Sequence, residues 1–578
     1  MLQRLAAERF VERLWTRDPS LWYPAAETQA KIRARLGWLA LPPSDLADLW
    51  AWVLPLRSGR VTNVMYVATG DAGMIARIWR DLAADPSTYP RLILLDTIEP
   101  ASVQATLATV AWERTAVVLA GTDWTPDSDA LARLVSTARS RAVPTQDLPL
   151  MVIASPECTP IQAICGESQP ALLPLPADLG GRFGVLSALG LAPAALVGWD
   201  LARLCAVAQE MAVACRHDQD LAANPGVWLG TTLAVLAQQG RDKLVLLAPP
   251  ELQPLACWIA AFVSGSLSKH GRGFVPIVAE NREQRTENRE QRTKNREQRT
   301  ENREQRAENG ERANTGSSAR PTITGDEQRM IVGQGAADED FDRSCIFVEL
   351  RLAGVSDAAV QARRAAVLAA GQPLVTLELA DRYAVAAQML CWQVAVATTA
   401  VVIGLNPFDE PDTAGRHAYL WRRLSRVEQA VLPPPTPIEH HALASVLQRI
   451  EPTIRMTGCI AIVAYVSQSP TVRAALQALG RLLTRRYGAA TVLVDPLRDL
   501  AYATQLLHAG RPSALLLLTA ETPSVVAVPG VDWTLNDLRD ARIAADVDAW
   551  TRMQRPFAHV DLGADAARGL RYCLDLLR

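Results

Sequence analysis

Short apolar, β-rich runs alternate with stretches of helical length and periodicity along nearly the whole chain. The strand candidates are 61–68, 91–95, 115–120, 150–154, 243–248, 346–352, 373–379, 460–466, 491–495 and 514–519. Helical patterns lie between many of them, as at 127–142, 200–216, 356–370 and 471–486. A strand that is apolar along its length is buried on both faces, and an intervening helix is the crossover that a parallel pair requires. The alternation therefore predicts α/β architecture: doubly wound sandwiches with mainly parallel sheets.

The strands form two sets, which predicts two sandwiches. A helical N-terminal extension over 1–56 leads into a first α/β domain over 57–215. A second is built from 216–279 and 344–530, with the linker near 215–224, and a helical C-terminal extension covers 531–578. Between the parts of the second domain, 280–343 begins with tandem copies of a seven-residue unit, ENREQRT. No position of that heptad is apolar, so no coiled-coil seam can form. A solvated, disordered insertion that expands a loop is expected, and its glutamates cancel the field of its arginines.

A net charge of −2 over 578 residues gives no global basic field, so neither nucleic acid nor an acidic membrane is an expected partner. The nine cysteines are odd in number and include no C-x-x-C pair. With no signal peptide, this predicts reduced thiols in a cytoplasmic protein. Apolar runs such as 392–405 are too short to span a bilayer. No metal or cofactor is expected.

One stretch concentrates chemistry: Asp178-Leu179-Gly180-Gly181-Arg182-Phe183-Gly184. Adjacent glycines let backbone amides approach a ligand closely, and the guanidinium suits an anion or a developing oxyanion. The run from Asp178 to Asp200 resembles the first signature of the glucose-6-phosphate isomerase family, in particular the isomerase half of bacterial bifunctional transaldolase/glucose-6-phosphate isomerase proteins. The resemblance implies two flavodoxin-like sugar-isomerase (SIS) domains, a hexose 6-phosphate ligand, a homodimer, and interconversion of glucose 6-phosphate with fructose 6-phosphate in glycolysis and gluconeogenesis.

Such an isomerisation moves a proton between adjacent carbons through an enediolate, so it needs a base, a charge stabiliser, a ring-opening group and a phosphate seat. The family's glycine-rich G-M-G-G-S-S-L turn matches 68–74, where Gly70 survives and Asp71 enters, either as a site carboxylate or as an ordinary helix-start residue. Its S-S-K-S-G-T-T phosphate loop matches 120–126, keeping Thr122 and Thr125 but gaining Asp123, which repels a phosphate. The motif that holds the basic glutamate matches 258–273 in register. Trp258, Ser266, Lys269, Gly271 and Gly273 are kept, and Gly265 stands where the glutamate should be. His270 is either a substitute base or a surface histidine.

In the second signature, Phe408 and Asp409 are kept, Glu410 replaces a glutamine and His417 takes the lysine position. Gly180, Gly181, Thr122, Thr125, Gly70 and Lys269 are the substrate-binding positions implied by the resemblance. Arg182 is either the enediolate stabiliser or a structural clamp. Farther on, 505–512 resembles a Q-L-H-K-G-G-P stretch and keeps His508. The expected function is that of an isomerase-family protein with impaired or lost catalysis. The alternatives are a non-catalytic sugar-phosphate-binding, regulatory or scaffold paralogue, a site rebuilt around Arg182, His417 and His270, or a different activity using Asp71 or Asp123.

Overall fold

A computed structural model describes residues 1–279, 334–335 and 343–577, except 41, 58, 84–88, 144–147, 156–169, 410, 426–435, 438–441, 499–504 and 523. Glu410, Cys158, Cys165 and nearly all of the repeat insertion lie outside the described residues.

The apolar runs form parallel strands as their patterning requires. The first sheet comprises β1 (Asn63–Ala68), β2 (Arg91–Leu95), β3 (Thr115–Gly121), β4 (Leu150–Ala154) and β5 (Ala171–Pro174), in the order β2-β1-β3-β4-β5. The second comprises β6 (Lys243–Leu247), β7 (Val275–Ala279), β8 (Gln334–Gly335), β9 (Cys345–Leu352) and β10 (Leu374–Leu379), in the order β10-β9-β6-β7-β8. Helices at Pro126–Ala142, Leu201–Ala214, Ala358–Ala369 and Pro470–Tyr487 match the predicted helical stretches closely. The doubly wound parallel α/β class is therefore what the chain adopts.

A third sheet adds to the two expected sandwiches. It contains β11 (Thr436–Pro437), β12 (Cys459–Tyr465), β13 (Ala490–Val494), β14 (Ala514–Thr519) and β15 (Phe557–Asp561), in the order β11-β15-β14-β12-β13. The stretch 344–530 is thus divided between two sheets, and 531–578 is not wholly helical because it supplies β15. That strand was hard to read because it is short and only Ala558 and Val560 face the core, with His559 and Asp561 on its opposite face.

The helix Ala384–Ile403 is the hub between the sandwiches. It packs against Pro225–Gln238, Leu201–Ala214 and Gln253–Leu267, and it is apolar all round, as a fully buried helix should be. At 20 residues it is long and apolar enough to cross a bilayer, which the shorter run 392–405 did not suggest, yet 89% of its most apolar window is buried inside this protein. Thr399 Oγ1 donates to Gly230 O at 2.9 Å across a helix contact, and Gln393 Nε2 donates to Phe183 O at 2.8 Å, tying the hub to the Gly-Gly-Arg turn.

The third unit sits over the carboxyl ends of first-sheet strands. After β13, Leu497 O accepts from Ile98 N at 3.2 Å, and Arg498 pairs with Asp96, just beyond β2. Arg542 donates to Pro496 O at 2.7 Å and to Asp127, the second residue of the helix that follows β3. Asp96, Asp127 and Arg542 are buried and Arg498 nearly so. Burial works to raise the Asp96 carboxyl, but Arg498, Arg77 and Arg80 together hold it below its ordinary value.

Asp495 behaves oppositely. Burial pushes its carboxyl up from 3.8 to about 6, against the pull of Arg498 and Arg77. A carboxyl whose folded-state value is raised contributes stability at low pH that is lost as pH rises through about 6. Asp495→Asn should therefore stabilise the protein by on the order of 2 kcal/mol at pH 7.5 and by almost nothing at pH 4. Urea unfolding at the two pH values checks this.

Candidate functional site

Three segments meet where the two signatures converge. The turn Gly181–Leu186 follows β5 and buries Arg182 to 3% exposure. The helix Gln253–Leu267 runs alongside, and Gly265 faces the arginine so closely that a Cβ there would lie 2.7 Å from Arg182 Cδ. Real Cβ atoms do not approach other atoms that closely, so any larger residue here would require Arg182 to shift. The guanidinium then reaches the return after the hub helix, where Nη2 donates to Asp409 O at 3.2 Å and to Pro407 O at 3.4 Å.

Lys269 fastens the same return. Its Nζ, 1% exposed, donates to Asn406 O at 2.8 Å, to Asp409 O at 2.7 Å and to the Asp409 carboxylate at 2.5 Å. Phe408 closes the junction against Trp22 and Phe183, with ring centroids at 4.8 and 5.0 Å. Arg182, Gly265, Lys269 and Asp409 are thus brought together. The two cations act on backbone carbonyls, and Lys269 additionally holds a carboxylate.

A second cradle lies at the carboxyl ends of β1 and β3. Gly70 takes φ +58 to open the helix Gly70–Asp81, which puts half-buried Asp71 in its first turn. A Cβ on Gly181 would lie 2.8 Å from Asp71 Oδ2 and 3.1 Å from Thr122 Oγ1. Thr122 Oγ1 donates to Asp123 at 3.2 Å. Thr125 caps the next helix by accepting from Ser128 N at 3.2 Å, as its position before Pro126 predicts. The Ser128 hydroxyl is 3.1 Å from that of Thr125 and 3.0 Å from that of Thr69. A shallow depression of about 10 Å³ beside them is lined by Thr69, Gly121, Asp123, Trp124 and Ser128, among others. Thr69 and Ser128 escaped the sequence reading because one reads as an N-cap and the other as the first turn of a helix.

The remaining candidates lie apart. Gly180 contacts Arg35, because a Cβ there would be 3.3 Å from Arg35 Cδ. His270 is exposed in a left-handed turn at φ 52, the surface position that was its alternative reading. His417 is half-buried on the helix Pro411–Leu424, which packs against Leu535–Arg552. Its neighbour Arg416 pairs with Asp546 at 2.6 Å. The same carboxylate receives Tyr465 OH at 2.5 Å and meets His508 Nε2 at 2.9 Å, all inside the third unit. Burial works to raise the Asp546 carboxyl, but Arg416, His508 and Tyr465 hold it well below the usual carboxylate range. His508 is therefore part of a packed interior network, and Asp546 is a partner that sequence reasoning missed.

No family model matches the chain. It is 25% identical over 397 residues to the glucose-6-phosphate isomerase of Rubrobacter xylanophilus, covering 64% of this chain and 84% of that protein. This chain resembles the glucose-6-phosphate isomerase family. It is also 27% identical over 259 residues to a probable glucose-6-phosphate isomerase of Haloarcula marismortui, covering 43% of this chain and 56% of that protein. A relative from Haloquadratum walsbyi is 29% identical over 220 residues, covering 38% and 50%. The chain spans about half the length of these last two curated relatives. Among solved structures, a hypothetical protein of Thermus thermophilus shares the fold, with a TM-score of 0.55 at 17% identity over 73% of this chain and 96% of that one.

Proposed function

We propose that this chain is a member of the glucose-6-phosphate isomerase family that does not turn over hexose 6-phosphates. One observation carries the reading: at the family's glutamate position there is a glycine, and the space its side chain would need is filled by Arg182. A C1–C2 proton transfer needs an acceptor held over the sugar carbons. Here the arginine that would stabilise an enediolate bonds instead to the Pro407 and Asp409 carbonyls, and the Asp409 carboxylate is engaged by Lys269. On this reading the junction is a structural lock between sandwiches, and the protein serves in the cytosol as a scaffold or regulatory partner.

A second reading, retained binding of a hexose 6-phosphate without turnover, is favoured by the Thr69–Ser128–Thr125 hydroxyls at the first sheet's edge. One pair of measurements separates the possibilities. Fructose 6-phosphate conversion, coupled to glucose-6-phosphate dehydrogenase, should stay at the rate of an Arg182→Ala control. A melting shift with millimolar 6-phosphogluconate would support the binding reading, and no shift would leave the scaffold. Turnover that disappears in Arg182→Ala or Asp409→Asn would instead establish a rebuilt isomerase site.

A further inference from the structure

We infer that the third unit is a detachable cover for the ligand edge of the first sheet, held shut by a latch of buried charges that a rise in pH loosens. Its grip falls on the carboxyl ends of strands. Leu497 O accepts from Ile98 N at 3.2 Å, and Arg498 Nε lies 3.3 Å from Asp96 Oδ1, directly after β2. Beyond β3, Arg542 holds Asp127, and Arg133 Nη1 donates to Pro529 O at 3.5 Å. Asp127 precedes Ser128, whose hydroxyl lies 3.0 Å from that of Thr69 beside the depression. In the order β2-β1-β3-β4-β5, the gap beyond the ends of β1 and β3 is the switch point, where open α/β sheets take their ligands. The third unit is thus fastened on both sides of that gap.

The seam joins charge to charge. Arg77, on the helix Gly70–Asp81, donates from Nε to Asp96 Oδ2 at 2.6 Å, so this carboxylate is shared between an arginine of its own sandwich and Arg498 of the third unit. Asp495 completes the cluster at 5% exposure, with Leu497 N donating to its Oδ1 at 3.2 Å. The charges that bear on it are Arg498 from its own segment and Arg77 and Asp96 from the first sandwich, and Arg542 donates to the neighbouring Pro496 O. Buried ion pairs return little beyond their desolvation cost, because water serves the same groups once the seam opens. Leu497 and Ile98 share one buried apolar cluster, so closed is the resting state. Arg511 pairs with Asp242, just before β6, at 3.5 Å, which keeps an opened third unit attached to the second sheet.

Ionisation of Asp495 is the release. Burial and, to a smaller degree, Asp96 push its carboxyl up to about 6 against Arg498 and Arg77, whereas solvent returns it toward 3.8. The protonated acid therefore favours the docked state, and that preference is lost as pH rises from 3.8 through about 6. Asp96, held below its ordinary value by its arginines, stays ionised over that range.

The test is hydrogen–deuterium exchange of the whole chain, read by mass spectrometry at pH 5 and pH 7.5 with rates corrected for intrinsic exchange. Peptides over 95–99 and 495–498 should open about tenfold more often at pH 7.5, the factor that a carboxyl moving between 3.8 and about 6 gives over that interval. The β3 peptide 115–121 should keep its protection, as expected of a local opening. Asp495→Asn, which keeps the shape and cannot ionise, should abolish the difference and open at least tenfold less often than wild type at pH 7.5. The wild-type comparison decides alone if the variant fails to fold. Equal seam protection at the two pH values overturns the inference. So does an equal change over 115–121, which would be global unfolding, or a pH response that survives in Asp495→Asn. Sugar turnover enters none of these readouts, so the result is independent of the isomerase assay.

Discussion

Restoring the family's glutamate by Gly265→Glu should destabilise the protein by about 3–5 kcal/mol and should not bring back isomerase turnover. The first new atom, a Cβ, would sit 2.7 Å from Arg182 Cδ, so the arginine must move before any carboxylate can be placed. Overfilling a packed site costs about 1–3 kcal/mol. Displacing the guanidinium also leaves the buried acceptors at Pro407 and Asp409 without that donor, at about 1–3 kcal/mol for an unmade bond. Gly265→Ala isolates the first cost and should lose about 1–3 kcal/mol. Guanidinium unfolding of the two variants, with the coupled assay on each, measures both parts. A Gly265→Glu protein that is as stable as wild type and isomerises fructose 6-phosphate would mean that the cleft is open and lacks only its base.

Removal of the Arg542 side chain should be comparably damaging, with the loss concentrated where the third unit meets the first sandwich. Arg542 and its partner Asp127 are 2% and 3% exposed at their side chains, and Arg542 also serves Pro496 O. Truncating one member of a buried pair strands the other charge and typically costs about 3–5 kcal/mol. Arg542→Ala should therefore lower the unfolding free energy by that amount and speed amide exchange around 495–498 and 126–130. The Asp127→Asn/Arg542→Met double variant, which removes both charges, should recover part of the loss. Equal stability of Arg542→Ala and wild type would show that the pair contributes nothing to docking.

The sequence was legible where one local pattern sufficed. Apolar strands such as 115–120, caps such as Thr125-Pro126 and the in-register motif around Gly265 all follow from residues close together in the chain. The third sheet did not, because membership of a sheet is decided by pairing between strands far apart in the chain, such as β11 with β15, where Thr436 pairs with Val560. That Gly265 stands at a glutamate position is implied by the resemblance of 258–273 to the family motif. That Arg182 fills the glutamate's place could not be read there, since it depends on the approach of two buried segments. Lys269 was read as a ligand contact, whereas here it bonds to the Asn406 and Asp409 carbonyls and the Asp409 carboxylate.

Loss of proton transfer is the centre of this account, and it can be measured without waiting for net isomerisation. Fructose 6-phosphate incubated with the protein in deuterium oxide reports enediolate formation as loss of the C1 proton signal by NMR, even where product does not accumulate. The account predicts exchange no faster than in buffer. Exchange above that blank, abolished by Asp409→Asn, would contradict it and make Asp409 the missing base.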